Sequence, residues 1–316
     1  MATDTATAAM RAVRFHDYGP PSVLVTDLVP RPEPKAGEVL VRVRVAGVNP
    51  IDWKFRAGFV RNFMPITLPY IPGVDVAGTV EEVGPGGTDF APGEEVFGRG
   101  SGTYAEYAIA PVTAIARKPS GISFEQAAAL PVGGATAWVG LFDVANLESG
   151  QRLLVQGGAG GVGDMAVQLG RWKGAHVIAT ASSPNVGYVR ALGADEVIDY
   201  TAVRFEDVVH DVDVVLDTVG AETADRSWGV LKPGGILVTV SGMADAEIAA
   251  ARGVRTSGVH GPEVIRPILE ELAHLVEAGA LVPQVGPTFP LEDAVRAHVA
   301  SETGHGRGRI VLQVSH

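Results

Sequence analysis

The sequence predicts an α/β protein that combines a β-rich domain with a domain built on a doubly wound parallel sheet. Residues 10–119 consist of short apolar runs broken by Gly and Pro, which is typical of antiparallel strands. From about residue 121, apolar strands alternate with helical patterns of roughly 10–15 residues, and this alternation predicts a parallel sheet with right-handed crossovers. The chain has 316 residues, of which 46% are hydrophobic and 19% are charged, so it can form both cores.

The strands of the β-rich domain are marked by a period of two residues and by turn clusters. Residues 38–45 have Val at every second position with mostly charged residues between, which is the pattern of a half-buried strand. Further strands are predicted at residues 74–83, 95–98 and 103–109. Turn clusters such as Gly-Pro-Gly-Gly at residues 84–87 separate them, so a barrel or a sandwich is expected.

The parallel sheet is predicted from six apolar runs with helical patterns between them. Its strands are expected at residues 152–156, 176–180, 196–199, 212–217, 236–240 and 254–259. Its helices are expected to begin near Gly161, Pro184, Ala221 and Pro262. A helix near residues 291–299 and a last strand at residues 309–314 are expected to return the chain to the β-rich domain. The expected division is a flexible tail (1–9), a β-rich domain (10–125 and 283–316) and a parallel-sheet domain (126–282).

Composition excludes several classes of function. There is no Cys, so the chain has no disulfide, no catalytic thiolate and no Cys-bound zinc or iron–sulfur cluster. The formal net charge of -11 opposes binding to nucleic acid or to an anionic membrane surface. The longest uncharged stretch, residues 127–142, is broken by Pro and Gly and is too short to span a bilayer. A cytoplasmic protein without nucleic-acid or membrane partners is therefore expected.

The strongest local motif is a glycine-rich loop between a predicted strand and a predicted helix. It reads Gly158-x-Gly160-x-x-Gly163, with Gly161 and Val162 inside it. The first Gly allows a tight turn, the second lets the backbone approach a pyrophosphate, and the third lets the helix pack on the strand. The N–H groups at the helix N-terminus then face the anion. The motif predicts dinucleotide binding; the alternative is a Gly-rich turn that binds nothing.

The end of the second parallel strand favours NADPH over NADH. NAD-binding proteins place Asp or Glu there against the ribose 2′-OH, whereas residues 178–185 contain no carboxylate. Ser182 and Ser183 could donate hydrogen bonds to a 2′-phosphate; alternatively they only begin the next helix, with Ser183 as its N-cap. The cations that could hold the phosphate are Arg190, Arg307 and Arg309, each of which could instead be a solvated surface residue.

Five stretches of the chain resemble the medium-chain dehydrogenase/reductase superfamily, specifically its zinc-less quinone oxidoreductase-like branch. They are residues 46–54, 71–78, 157–163, 192–200 and 217–220. The resemblance implies a GroES-like β-rich domain followed by a Rossmann domain. In the zinc alcohol dehydrogenases that it resembles, the first stretch begins with a Cys ligand and the second carries a His ligand. Those positions hold Asn49 and Val74 here, so a reaction that depends on zinc is not expected.

The resemblance implies an NADP(H)-dependent reductase of quinones or α,β-unsaturated carbonyl compounds, whose partner is a small-molecule acceptor. It places Asn49 beside the nicotinamide. Asp52, with Lys54, is a candidate proton relay; the alternatives are an ion pair without a catalytic role and protonation by water. The resemblance implies that the cofactor contacts come from residues near the interdomain cleft, in the glycine loop and at strand ends: Thr136, Gly158, Gly160, Gly161, Val162, Gly163, Ser182, Ser183, Tyr200, Thr218, Val219, Ser241 and Gly242.

This chain departs from its relatives at two positions. Related enoyl reductases often carry a Tyr a few residues after the Arg-x-Gly turn, where this chain has Phe59 and Val60. Many relatives carry a Lys where Asn185 stands. These departures bear on the proton donor and on the selectivity for NADP. Two other functions stay open: a trans-acting enoyl reductase of a biosynthetic pathway, and a crystallin-like or regulatory protein that binds NADPH without turnover. The resemblance also implies a homodimer that is joined through edge strands of the nucleotide sheet, around residues 254–259.

Overall fold

The computed structural model describes residues 9–220, 222–242, 244–260 and 264–314. The helix starts predicted near Ala221 and Pro262 lie outside these residues, as does the predicted tail except for Ala9. The assignment of Ala9 to the tail is wrong, because Ala9 begins the first strand and pairs with Pro30. None of the helices in the described part of the chain has the length and apolar character to cross a membrane.

Residues 9–128 contain seven strands and two short α-helices. The strands are β1 (Ala9–Arg14), β2 (Val25–Pro30), β3 (Glu38–Gly47), β4 (Asp75–Val83), β5 (Glu95–Arg99), β6 (Tyr107–Pro111) and β7 (Ile115–Arg117). The helices are α1 (Pro50–Arg56) and α2 (Phe124–Ala128). Pro50 is the first residue of α1, a position where a missing N–H costs nothing.

The central part of the chain alternates strands and helices, as the sequence predicts. The strands are β8 (Arg152–Gln156), β9 (His176–Ala181), β10 (Glu196–Asp199), β11 (Val212–Asp217), β12 (Leu231–Thr239) and β13 (Arg255–Gly258). The helices are α3 (Pro131–Trp138), α4 (Gly163–Lys173), α5 (Val186–Ala191), α6 (Glu222–Ser227), α7 (Ala246–Ala251) and α8 (Arg266–Glu277). The last elements are β14 (Val285–Pro290), α9 (Ala294–Glu302) and β15 (Arg309–Gln313).

Two large sheets organise these elements. The central strands form a parallel sheet in the order β10-β9-β8-β11-β12-β13, which is the doubly wound Rossmann order 3-2-1-4-5-6. The other sheet has the order β14-β15-β3-β4-β5-β7, with β6 also paired to β3. The predicted α/β fold, with a β-rich part and a doubly wound parallel sheet, is confirmed. The return of the last strand to the β-rich sheet is also present, since β15 pairs with β3. The domain boundaries stay a prediction.

Strands β8, β10 and β11 begin and end at the predicted residues, whereas one other local prediction is wrong. The strand predicted at residues 103–109 is β6, which begins at Tyr107. Residues 104–106 turn instead towards β1, where the Val13 N–H donates to the Tyr104 carbonyl at 2.8 Å. The helix predicted to begin near Gly161 begins at Gly163, directly after the glycine loop.

Candidate active site

The glycine loop, residues 157–162, connects β8 to α4 and is fixed against the end of β9. Gly157 has a φ of 74°, which L side chains rarely adopt. Its N–H donates to Thr180 Oγ1 at 3.0 Å, and the Gly158 N–H donates to the Thr180 carbonyl at 2.9 Å. The loop therefore has a defined shape that depends on the neighbouring strand.

The three motif glycines differ in how closely they are packed. A Cβ on Gly163 would lie 2.1 Å from the Gly157 carbonyl oxygen, and one on Gly158 would lie 3.0 Å from Ala179 Cβ. A Cβ on Gly160 would approach nothing closer than 3.6 Å. Gly158 and Gly163 thus allow close backbone packing, whereas Gly160 leaves open space beside the loop. That space and the start of α4 are where an anion would find free N–H groups.

The ends of β11 and β12 lie beside the loop, as expected of strand ends in a parallel sheet. Thr218 Oγ1 donates to the Gln156 carbonyl at 2.7 Å. Val219 follows and is 55% exposed. The turn after β12 packs against them, since a Cβ on Gly220 would lie 2.7 Å from the Ser241 carbonyl oxygen. Gly242 continues this turn with an exposed backbone.

Helix α3 forms another wall of the loop and carries the half-buried Thr136. A Cβ on Gly133 would lie 2.1 Å from the Gly161 carbonyl oxygen, so this helix packs directly on the loop backbone. Val162, the residue before α4, is half-buried against the same core. The structure thus groups most of the predicted cofactor residues at the carboxyl edge of the parallel sheet.

The remaining predicted cofactor residues lie after β9 and β10. Ser182 is half-buried and its hydroxyl accepts from Asn185 Nδ2 at 3.2 Å. Ser183 does not cap the helix with its side chain; it donates to Asp199 and lies 2.9 Å from Thr201 Oγ1. Tyr200 is 48% exposed beside this turn.

This turn contains a carboxylate that the sequence argument missed. Residues 178–185 have none, but Asp199, at the end of β10, contacts Ser183. Hydrogen bonds from Ser183 and Thr201 hold the pKa of Asp199 below its usual range, so Asp199 is ionised at neutral pH. The contact between Asp199 and Ser183 follows from the parallel pairing of β9 with β10, because that pairing brings the carboxyl ends of the two strands together.

Of the three candidate cations, Arg307 is the one at this turn. Its Nε donates to Asn185 Oδ1 at 2.7 Å, and its Nη2 donates to the Pro184 carbonyl. The guanidinium also lies 5.4 Å from the centre of the Tyr188 ring. Arg190 is exposed in the last turn of α5. Arg307 therefore adds a positive charge where Asp199 adds a negative one.

Arg309 lies elsewhere, in the wall between the two sheets. It is 5% exposed, and its Nη2 donates to the Gly161 carbonyl at 3.2 Å. Its Nη1 lies 3.5 Å from the Val48 carbonyl oxygen, one residue before Asn49. The prediction that Arg309 could hold a 2′-phosphate is therefore not supported by its position. Instead it connects the glycine loop to the segment that carries Asn49.

Asn49 belongs to a buried polar cluster on the β-rich side of this wall. Its Nδ2 donates to Asp75 Oδ2 at 2.9 Å, and Asp75 Oδ1 accepts from the Val132 N–H at 3.0 Å. Burial raises the pKa of Asp75. Among the described residues, Asn49 Oδ1 has no hydrogen-bond partner although it is buried. Asn49 Oδ1 thus keeps acceptor capacity, at the N-cap of α1 where the Asn49 and Asp52 side chains form a capping box.

Asp52 is the neighbour of Asn49 in this cluster. Its Oδ2 accepts from the Asn49 N–H at 2.8 Å and from the Tyr104 hydroxyl at 3.2 Å. Burial raises the pKa of Asp52 to about 7, the Asn49 hydrogen bond opposes that rise, and the Asp75 charge adds to it. Lys54 lies instead against the Trp53 ring, at 5.7 Å from its centre. The structure thus pairs Asp52 with Asn49 and Tyr104 rather than with Lys54.

The described residues contain no group of three or more His, Asp or Glu side chains that could hold a metal ion. The chain also has no Cys to supply a thiolate ligand. At the two positions singled out from the sequence, Asn49 donates to Asp75, and Val74 immediately precedes β4.

Both the N-terminal and the C-terminal part of the chain match known protein families. Residues 35–120 match the alcohol dehydrogenase GroES-like domain, and residues 192–312 match the zinc-binding dehydrogenase family. The 2-methylene-furan-3-one reductase of Solanum lycopersicum is 35% identical over 96% of this chain and 79% of that protein. The chloroplastic NADPH-dependent alkenal/one oxidoreductase of Arabidopsis thaliana is 36% identical, with the same shares covered.

A solved structure gives the same result for the whole fold. The quinone oxidoreductase from Coxiella burnetii is 35% identical and superimposes with a TM-score of 0.89, over 98% of this chain and 100% of that one. The resemblance inferred from the five sequence stretches is confirmed. The chain belongs to the medium-chain dehydrogenase/reductase superfamily, in its quinone oxidoreductase-like branch.

Proposed function

We propose that this protein is an NADPH-dependent oxidoreductase that reduces quinones and α,β-unsaturated carbonyl compounds. The observation that carries the proposal is the wall between the two sheets, where Arg309 connects the glycine loop to the buried Asn49 cluster. A dinucleotide held by the loop would extend along the strand ends towards Asn49. The names of the similar proteins support the class of acceptor and the choice of NADPH.

The residues at the strand ends fit this cofactor. The open side of Gly160 and the start of α4 suit a pyrophosphate. Thr136, Thr218, Val219, Ser241 and Gly242 would line the cleft beyond it. Residues Gly158, Gly161, Val162 and Gly163 would shape the loop.

At the adenosine end, Ser182, Ser183 and Tyr200 would surround the ribose. Arg307, which is held against Asn185 and Pro184, would supply the charge that holds a 2′-phosphate. The Asp199 carboxylate opposes this charge, so the preference for NADPH depends on the balance between these two side chains.

Asn49 suits a positioning role because of the way its amide is bonded. Its Nδ2 donates to Asp75, which fixes the direction of the amide, and its Oδ1 can only accept. Asn49 therefore suits an amide or hydroxyl donor, such as the carboxamide of a nicotinamide, rather than a carbonyl oxygen. When bound, the reduced nicotinamide supplies a hydride to the acceptor.

The acceptor is proposed to be activated by conjugation. The chain has no Cys, and the positions of the Cys and His ligands hold Asn49 and Val74, which are poor ligands for a Lewis-acid metal. An enone or a quinone takes a hydride without such help, because the product is an enolate or a phenolate whose negative charge is delocalised over carbon and oxygen. A simple ketone or aldehyde would give a localised and far more basic alkoxide.

We also propose a homodimer in the cytoplasm. Strand β13 lies at one edge of the parallel sheet, and an edge strand offers free backbone groups for pairing with a second copy. Light scattering should then give twice the chain mass of 32.8 kDa. A single-chain mass at micromolar concentration would contradict the dimer without affecting the proposed activity.

The activity is tested by following the absorbance of NADPH with a panel of acceptors. Enones and quinones should be reduced, whereas saturated aldehydes and ketones of matched size should not. Turnover with enoyl thioesters alone would favour the enoyl reductase alternative. Binding of NADPH without its oxidation by any acceptor would favour the non-catalytic alternative and contradict this proposal.

A further inference from the structure

The wall between the two sheets contains a buried arginine that contacts both sides. Arg309 begins β15 of the β-rich sheet, and its side chain is buried against the glycine loop. Its Nη2 donates to the Gly161 carbonyl at 3.2 Å, and its Nη1 lies 3.5 Å from the Val48 carbonyl oxygen. One guanidinium group thus contacts the loop and the residue before Asn49.

Two glycines leave the space that this side chain occupies. A Cβ on Gly161 would lie 2.8 Å from Arg309 Cζ, and one on Gly133 would lie 2.8 Å from Arg309 Nη2. Gly133 belongs to α3 and Gly161 to the glycine loop, so the guanidinium packs where the helix meets the loop. A side chain at either glycine would therefore displace the guanidinium.

The charge of Arg309 acts on buried carboxyl groups from both sides of the wall. Burial raises the pKa of Asp52, Asp75 and Asp164, and the guanidinium charge opposes each rise. Asp52 and Asp75 lie on the β-rich side, whereas Asp164 lies in the first turn of α4. The guanidinium itself contacts carbonyl oxygens. Its position is therefore set by two backbone segments, and the carboxyl groups on both sides favour its charge.

The backbone beside Arg309 makes contacts in the same two directions. The Gly308 N–H donates to the Ala159 carbonyl in the glycine loop at 3.2 Å. On the other side, the Val48 N–H donates to the Ile310 carbonyl at 2.8 Å. Three successive residues at the start of β15 thus connect the loop to the segment before α1.

The distance across this wall matters because a dinucleotide would be held on both sides of it. In the proposed function, the glycine loop holds the pyrophosphate and Asn49 orients the carboxamide of the nicotinamide. The bonds between these two groups span a limited distance, so the separation of the loop from Asn49 determines where the nicotinamide ring lies. A misplacement of about 1 Å can slow a reaction by about 100-fold.

We propose that Arg309 is a positioning residue for hydride transfer, which fixes the segment that carries Asn49 against the glycine loop. The inference rests on the proposed function. Arg309 acts through the Gly161 and Val48 carbonyls and neither gains nor loses a proton or an electron. The role differs from that of a phosphate ligand, because it affects the placement of the nicotinamide rather than the affinity for NADPH.

The kinetic test compares Arg309→Lys with the wild type in single turnovers of an enone at saturating NADPH. Lys keeps the charge beside the buried carboxyl groups, but its single ammonium lacks the fork that contacts two carbonyls. The rate of NADPH oxidation should fall by at least about 10-fold. The Kd for NADPH should change by less than about 3-fold, because Thr180 still holds the loop through the Gly157 N–H.

The single-turnover rate separates positioning from a loss of folded protein. Fewer folded molecules reduce the amplitude of the reaction and leave its rate unchanged. An unchanged rate in Arg309→Lys would therefore overturn the proposal. A Kd for NADPH raised by more than about 10-fold at an unchanged rate would overturn it in favour of a phosphate contact. Arg252→Lys, an exposed change at the end of α7, is the matched control and should alter neither quantity.

Gly161→Ala tests the same role while Arg309 is kept. The three atoms nearest to the new Cβ all belong to the Arg309 guanidinium, at 2.8–3.0 Å, so this side chain must move. The single-turnover rate should fall as in Arg309→Lys, and the two changes together should cost less than the product of the separate losses. Losses that multiply in the double variant would show that the two residues act separately and would overturn the proposal. This variant also serves if Arg309→Lys does not fold.

A second readout needs no acceptor. The fluorescence lifetime of the reduced nicotinamide lengthens when a protein holds the ring rigidly. The lifetime of bound NADPH should be longer than that of free NADPH in the wild type and shorter in saturated Arg309→Lys than in the wild type. Equal lifetimes in the two proteins would overturn the positioning role. A wild type that lengthens the lifetime but reduces neither enones nor quinones would reject the proposed function and leave the placement of the ring by Arg309 supported.

Discussion

The glycine loop and a buried chain of polar side chains differ in how the sequence encodes them. The loop is contiguous, and close backbone contacts such as Gly163 against Gly157 explain its spacing. The polar chain joins Asp52, Tyr104 and His298, which are far apart in the sequence and meet only in the folded protein. Steric demands on neighbouring residues therefore leave a readable pattern, whereas long-range hydrogen bonds between polar side chains do not.

The largest effect is expected where the loop is most closely packed. In Gly163→Ala, the new Cβ would lie 2.1 Å from the Gly157 carbonyl oxygen, so the loop or α4 must move. NADPH binding should be lost, and the unfolding free energy should fall by about 1–3 kcal/mol. Calorimetric titration and urea denaturation measure the two effects.

Gly160→Ala is the matched control for that variant. Its Cβ would approach nothing closer than 3.6 Å, so stability should change by less than about 1 kcal/mol. Equal destabilisation by the two substitutions would contradict the steric explanation of the motif.

At the proposed adenosine end, Arg307 is also held by long-range contacts, to Asn185 and Pro184. Arg307→Ala should weaken NADPH binding by about 10-fold, which is about 1.4 kcal/mol, and should leave NADH binding nearly unchanged. Fluorescence titration with both nucleotides measures the difference. Arg190→Ala, in the exposed last turn of α5, should have a much smaller effect. Equal losses for NADPH and NADH in Arg307→Ala would mean that this side chain does not contact a 2′-phosphate.

Asp199 should have the opposite and smaller effect. Its ionised side chain lies beside Ser183, so Asp199→Asn should tighten NADPH binding by about 3-fold through the loss of a repulsive charge. NADH binding should not improve, and salt should reduce the gain. Weaker binding of NADPH in Asp199→Asn would show that the carboxylate is needed to hold the turn.

A pH-dependent change that concerns stability rather than cofactor binding is expected at Asp164, in the first turn of α4. Burial raises the pKa of Asp164 to about 7 from its ordinary 3.8, against the charge of Arg309. The folded state thus holds this proton more tightly than the unfolded state, so stability is lost as pH rises from about 4 to 7. Asp164→Asn should gain stability relative to the wild type across this interval.

Thermal denaturation between pH 4 and pH 8 measures that gain. The advantage of Asp164→Asn should grow up to about pH 7 and then level off. Asp225→Asn, an exposed change in α6, is the control. An advantage of Asp164→Asn that does not vary with pH would contradict the effect of burial on this carboxyl.

Much of the fold was predictable because burial imposes regular patterns on strands and helices. The alternation of apolar strands with helical patterns predicted the parallel sheet. Strands β8, β10 and β11 begin and end where expected. The strand at residues 103–109 was misplaced because its first residues pair with β1, a choice that depends on distant backbone groups.

The candidate site was predictable only in part. The glycine spacing located the loop, and the resemblance located Asn49 and the strand-end residues. The sequence did not reveal Asp199 beside Ser183, since two strands must pair before these residues meet. Tyr104 and His298 gave no local signal at all. Arg309 was named only as a candidate phosphate ligand, but its buried position could have been expected, because three apolar residues follow it in its strand.

The central claim is that the wall between the sheets supports transfer of a hydride to the β-carbon of a conjugated acceptor. It is tested most directly with NADPH that carries deuterium at the nicotinamide C4, followed by mass spectrometry and NMR of the product of an enone. The account predicts deuterium on the β-carbon of a saturated ketone. Deuterium on the former carbonyl carbon, in an allylic alcohol, would contradict it.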